Sequence, residues 1–182
     1  MSEDARLKET LTRTEWAYRG RLVNVRVDTV SLPSGRETTR EVVAHPGAVA
    51  IVPLHDDGTV TLVRQWRQAA GQVLLEIPAG TLEPGEEPAG CARRELIEEV
   101  GLRAGELTHL FSSYLAPGYS TELLHTFLAT ELAPGPARPE ADEAIDPVRL
   151  PLAEATAMVL RGELSDAKTI CGLLLAERYT PM

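Results

Sequence analysis

The sequence predicts an α/β fold: a mixed sheet sandwiched between helices, preceded by a small antiparallel β extension. Three observations carry this. Short β-type runs lie on both sides of one amphipathic helical stretch that starts near Pro88, two further helical stretches close the chain, and a hairpin-like pattern precedes the joint His45-Pro46-Gly47. The joint divides the 182 residues into an extension, 1–45, and a main domain, 46–182, large enough for a sizeable core.

Taken in order, the chain opens with a polar lead-in to about Thr14. Trp16 and Tyr18 follow; they either cap a small core or offer a stacking surface for an adenine ring. Val23, Val25 and Val27 alternate with polar residues, Leu32-Pro33-Ser34-Gly35 turns, and a second alternating run covers 36–43. Two strands alone are marginal in water, so they need the main sheet or a second copy of the chain, for which C2 symmetry is the default. Ala48 to Leu54 is a nearly unbroken apolar run that reads as a central strand, with Asp56-Asp57-Gly58 turning into Thr59–Gln65. A short strand, Val73–Ile77, is broken by Pro78-Ala79-Gly80.

The helix that follows has Pro88 in its first turn, Glu86 and Glu87 at its positive end, and Gly101 at the place of a left-handed cap. Ala89, Ala92, Leu96 and Val100 form its expected buried stripe. Strands are expected at 108–115 and 123–130. The Pro-rich, acidic stretch 133–146 reads as an exposed loop. Helices are expected over 152–161 and from a Ser165 cap to about Arg178.

Composition narrows the function. A net charge of −9 argues against nucleic-acid binding by a basic surface, and an anionic substrate would need cations to offset it. Two cysteines, Cys91 and Cys171, give neither zinc spacing nor a disulfide framework, which suits a reducing compartment. With no apolar leader and no run long enough for a bilayer, the expectation is a cytoplasmic protein without a membrane partner.

The acidic face of the central helix carries the chemistry. Glu95 and Glu99 stack at i, i+4, and Glu98 lies beside both. Three carboxylates on one turn repel unless a cation sits among them, and oxygen donors favour a hard ion such as Mg²⁺ or Mn²⁺. Arg94 can pair with Glu98 at i+4. Gly80, Glu86, Arg94, Glu95, Leu96, Glu98, Glu99, Gly101 and Leu102 fit the pattern G-x5-E-x7-R-E-U-x-E-E-x-G-U, with U a bulky aliphatic residue. This resembles the Nudix box, the signature of hydrolases that cleave a nucleoside diphosphate linked to another moiety. Arg64-Gln65-Trp66-Arg67, Leu75-Glu76-Ile77-Pro78-Ala79-Gly80 and a proline, Pro117, about fifteen residues beyond the box resemble the ADP-ribose pyrophosphatase branch.

The resemblance implies a Nudix-type α/β/α sandwich and assigns roles. Glu95 and Glu99 would hold metal with Glu98 assisting or orienting the nucleophile, and the Ala79 carbonyl would be a further ligand, for one to three Mg²⁺ ions with Mn²⁺ as substitute. Glu143, in the acidic loop, is a candidate base or ligand against a plain solvated charge. Glu86 is expected to support the helix end and Arg94. Arg67 and Arg64 would contact phosphate through guanidinium forks. Arg40 would reach the partner's site in a homodimer built through the extension. Glu83 and Glu122 are candidates for the terminal ribose or water, beside Pro117 and Gly118. His45, His55, His109 and His125 share no spacing and read as structural. The activity so implied is hydrolysis of ADP-ribose to AMP and ribose 5-phosphate. The alternatives are a pyrophosphatase for other nucleoside diphosphate sugars or dinucleotides, and a binding module without turnover, which the intact carboxylates disfavour.

Overall fold

The computed structural model describes residues 3–136 and 144–179. The chain divides into two compact units, one of residues 1–47 and 114–123, the other of residues 48–113 and 124–182.

In the first unit, β1 (Thr10–Arg19), β2 (Asn24–Ser31) and β3 (Glu37–Ala44) form an antiparallel sheet in that order. Turn chemistry explains the second hairpin: Gly35 takes φ 81, a conformation costly for any residue with a Cβ. The Asp28 carboxylate, nearly buried, accepts from Thr14 Oγ1 at 2.8 Å and Arg26 Nε at 2.9 Å. Those bonds outweigh burial and hold its pKa below the ordinary carboxylate value. Segment 114–123 is tied to β3, since the Val43 N–H donates to Tyr119 O at 2.7 Å and the Thr121 N–H to Val43 O at 3.0 Å.

In the second unit, β4 (Ala48–Pro53) is buried at every position. It lies inside a four-stranded sheet with β7 (Ala79–Thr81), β9 (Leu123–Pro134) and β8 (Leu102–Tyr114), in the order β7-β4-β9-β8. It runs parallel to β9 and antiparallel to β7. Successive side chains of a strand point to opposite faces, and both faces of β4 are covered. Val49 and Ile51 pack with Cys91, Ala92 and Leu96 of α1 (Pro88–Val100). Ala50 and Val52 join a cluster with Leu152 and Ala155 of α2 (Leu152–Leu160) and Leu173 and Ala176 of α3 (Ala167–Ala176). A strand covered on both faces needs an unbroken apolar run, which Ala48–Leu54 supplies. The second sheet, β10-β5-β6, is antiparallel and built from β5 (Thr59–Arg67), β6 (Gln72–Glu76) and β10 (Ile145–Pro151). A mixed sheet between helices, with an antiparallel β extension, is the fold class the sequence predicts.

Several elements differ from expectation. The end of the polar lead-in begins a strand, β1, whose ten residues are all exposed, Trp16 and Tyr18 included. Trp16 therefore caps no core; Arg19 instead lies 4.8 Å from its ring centroid. β10 replaces the end of the expected loop, because Ile145 to Pro151 pairs residue by residue with β5 despite two prolines; β10 is an edge strand, where proline is tolerated. The expected break at Ala79-Gly80 is itself a short strand on β4. Asp166, not Ser165, caps α3, accepting from the Thr169 N–H at 3.0 Å. Ala89 is exposed, and Cys91 takes its place in the buried stripe of α1.

Candidate active site

The strap Glu76 to Gly80 and the helix α1 build the site together. The strap leaves β6, crosses Pro78 and enters β7. The Ala79 N–H donates to Glu99 Oε2 at 3.1 Å, which fixes the strap against the helix. Gly80 has no side chain for a direct reason: a Cβ there would coincide with the Glu95 carboxyl group. Glu95 is thus seated in the space that the glycine leaves. At the far end of α1, Gly101 takes φ 63 and ψ 34, and its N–H returns to the last turn, as the sequence predicts.

Arg94 organises the acidic face. Its Nε and Nη2 each donate to Glu86 at 2.9 Å, while Nη1 donates to Glu95 Oε1 at 2.6 Å and to Glu98 Oε2 at 3.0 Å. The expected i, i+4 pair with Glu98 is present, and so is the expected support of Glu86 for Arg94. The Arg94 fork, with help from the Glu83 N–H at 3.0 Å, holds the Glu86 carboxyl at about 2. Pairing with Glu86 raises the Arg94 pKa above its ordinary value. Cys91, buried behind this face, has its thiol pushed up to about 12 by burial and is inert packing.

Arg94 sits where mutual repulsion would otherwise be greatest, and among the described residues no three carboxylates or imidazoles converge as a preformed metal cage. The donor set still fits a hard divalent ion. It consists of carboxylate oxygens from Glu95, Glu98 and Glu99 and a backbone carbonyl at Ala79, with a glycine cradle that brings the Glu95 carboxyl against the strap.

A second cluster lies at the other end of the strap; of its members the sequence predicts a role for Arg67 alone, as a phosphate contact. Glu76 is 1% exposed and binds Arg67 through two bonds of 2.8 Å, Nε to Oε1 and Nη2 to Oε2. Lys168 Nζ, at the start of α3, also bonds Glu76 Oε2 and lies 2.9 Å from Asp166 Oδ2. Burial works against the Glu76 charge, but Arg67 and Lys168 hold its pKa below the ordinary value. Arg67 is raised, first by Glu76, and Glu99 and Asp166 attract it as well. The Ile77 N–H donates to Thr169 Oγ1 at 2.9 Å, and Thr169 Oγ1 donates to Asp166 Oδ2 at 2.5 Å.

The second unit carries Ala79, Glu95, Glu98 and Glu99, with Glu99 on the Ala79 N–H, Glu95 against Gly80 and Arg94 bridging Glu95 and Glu98, and it also carries Arg64, Arg67 and Glu83. Arg67 is engaged by Glu76, while Arg64 and Glu83 are exposed. Arg40, Pro117, Gly118 and Glu122 belong to the first unit, where Arg40 pairs with Glu9 at 2.5 Å. Glu143 lies outside the described residues. His109 and His125, which share no sequence spacing and are expected to be structural, both meet Ser112 Oγ, at 2.9 and 2.8 Å. One signal pointed to the missed cluster: Glu76 is a carboxylate inside an otherwise apolar strand, and such a charge is retained only when paired.

A carboxylate-rich helix seated against a glycine strap, beside a mixed sheet covered by helices on both faces, presents a donor set suited to metal-assisted hydrolysis. Residues 44–173 match the NUDIX domain, and residues 9–43 match the nucleoside diphosphate sugar hydrolase N-terminal domain. The chain belongs to the Nudix family. It is 39% identical to the ADP-ribose pyrophosphatase of Bacillus subtilis (strain 168) over 165 residues, 90% of this chain and 89% of that one. It is 42% identical to the ADP-ribose pyrophosphatase of Mycobacterium tuberculosis (strain ATCC 25618 / H37Rv) over 176 residues, 94% of this chain and 84% of that one. A solved structure, the crystal structure of ADP compounds hydrolase, superposes with a TM-score of 0.84 at 28% identity, covering 94% of both chains. Among the described residues no helix is long and apolar enough to cross a membrane.

Proposed function

We propose that this chain hydrolyses the diphosphate of ADP-ribose to AMP and ribose 5-phosphate. The observation that carries the reading is the acidic face of α1, anchored to the strap by Ala79 N–H to Glu99 and seated on Gly80 through Glu95. Similarity to two ADP-ribose pyrophosphatases over nearly the whole chain supports the substrate.

Ala79, Glu95, Glu98 and Glu99 would hold the one to three Mg²⁺ ions of the reaction, with Mn²⁺ as a substitute; when bound, such ions neutralise phosphoryl oxygens and make water a better nucleophile. The protein's own part is positioning. Arg94 Nη1 bridges Glu95 and Glu98 and offsets their mutual repulsion. Glu98, more open than its neighbours at 35% side-chain exposure, assists the metal or orients the attacking water. Arg67 and Arg64 contact the diphosphate. We assign Glu83 and Glu122 to the terminal ribose or water, and Pro117 and Gly118 to substrate contact. Glu143 acts as base or ligand, and Arg40 serves the partner's site in a homodimer formed through the extension. The exposure of every residue of β1, with Leu11, Trp16 and Tyr18 on it, supports the dimer. The free cysteines are compatible with a cytoplasmic setting.

The test is AMP release from ADP-ribose with Mg²⁺ and with chelator, beside ADP-glucose, GDP-mannose, NADH and FAD at equal concentration. Strong preference for ADP-ribose is expected. Preference for another compound would replace the substrate, and binding without cleavage would make the chain a recognition module. Light scattering at micromolar concentration tests the dimer, and a mass near 19.8 kDa would remove it.

A further inference from the structure

We infer that Lys168 is a positioning residue which, through Glu76, keeps the Arg67 guanidinium set and electrostatically available for the substrate's diphosphate. The inference rests on the proposed function and adds residues that it does not use. Glu76 is almost completely buried, and a lone buried carboxylate is costly, so it binds any cation within reach. Arg67 is the partner that lies partly in solvent, at 40% side-chain exposure, while Lys168 is 11% exposed. Arg67 spends Nε and Nη2 on Glu76, and among the described residues Nη1 has no acceptor. A guanidinium clamped on two nitrogens and open at the third has its direction fixed before a phosphate arrives, which lowers the entropy cost of binding.

Charge is the second half of the argument. Arg67 and Lys168 against Glu76 and Asp166 make a four-membered group with no net charge. Without the ammonium the group carries one negative charge, and that charge falls on the guanidinium meant to attract phosphate. Lys168 shares Glu76 Oε2 with Arg67, so it is the member that relieves Arg67 of the full carboxylate. The same turn of α3 holds the strap, since Thr169 takes the Ile77 N–H two residues before Ala79. The start of α3 therefore sets both the charge and the placement of the strap's phosphate-facing end.

The test is equilibrium binding of the α,β-methylene analogue of ADP-ribose, measured by titration calorimetry on the full chain with Mg²⁺, beside thermal midpoints. Lys168→Met is expected to raise Kd about tenfold, and Lys168→Arg to stay within a few-fold of wild type. Adding Asp166→Asn to Lys168→Met restores zero charge while keeping a capping side chain, and is expected to recover most of the lost affinity. Recovery by charge balance is a result that a purely structural role would not produce. Should Lys168→Met fail to fold, Asp166→Asn alone decides, with Kd expected to fall several-fold. Unchanged affinity in folded Lys168→Met, or in Asp166→Asn, overturns the inference while leaving the function in place. A wild type that neither binds the analogue nor cleaves ADP-ribose overturns both.

Discussion

Arg94 and Glu86 meet as two parallel bonds of 2.9 Å, one from Nε and one from Nη2, joining the loop before α1 to the second turn of the helix. The pair is partly buried, at 28% and 18% side-chain exposure, and the same guanidinium also separates Glu95 from Glu98. Removing it leaves three carboxylates facing one another. Arg94→Ala is expected to cost about 2 kcal/mol of stability in urea unfolding, less than a fully buried pair would lose. Arg94→Lys should recover only part of this, because an ammonium cannot reproduce the fork. Equal stability of all three proteins would show that the fork is ornamental.

The same pair sets a pH dependence. The folded Glu86 carboxyl sits at about 2 against 4.5 unperturbed, so the unfolded chain binds its proton first as pH falls. Stability from this group is complete above the unfolded value, declines below it and is gone once pH passes about 2. Wild type should therefore lose more stability than Glu86→Gln between pH 5 and about pH 2.5, as read from urea midpoints at several pH values. Parallel curves for the two proteins would reject the assignment.

The fold was legible in the sequence wherever one strong local rule acted. Gly101 had to end α1 because only a left-handed residue closes that cap, and the apolar run of β4 declared a strand covered on both faces. β1 escaped because none of its residues is buried, so no alternation marks it. β10 escaped because Pro147 and Pro151 disguise a strand whose pairing with β5 is a long-range fact. The carboxylates of α1 were readable from spacing along one helix. The Arg67, Glu76 and Lys168 group was not, since Glu76 and Lys168 are joined only by the packing of α3 beside the strap.

Glu99→Gln and Glu95→Gln should each lower kcat for ADP-ribose by several orders of magnitude with little loss of fold, because each removes ligand charge rather than packing. Glu99→Gln keeps a side-chain oxygen able to accept the Ala79 N–H, so the strap anchor survives. The check is kcat beside circular dichroism and thermal midpoints. Near-normal turnover in both variants would sink the metal assignment.

Two glycines separate function from stability. A Cβ at Gly172 would stand 3.0 Å from both Ile77 Cδ1 and Val52 Cγ2, inside the core between α3 and β4. Gly172→Ala must push those side chains aside, at a cost of about 1–3 kcal/mol, while the acidic face of α1 is untouched. A Cβ at Gly80 meets the carboxyl group of Glu95, the far end of a flexible side chain that can swing away. Gly80→Ala should therefore stay folded within about 1 kcal/mol of wild type yet lose at least a hundredfold in kcat, because Glu95 is evicted from its seat. Urea unfolding and ADP-ribose turnover, measured on both variants, give a crossed pattern if the cradle positions a ligand. If Gly80→Ala keeps full turnover, the seat has no part in catalysis and the glycine is there only for the close approach of strap and helix.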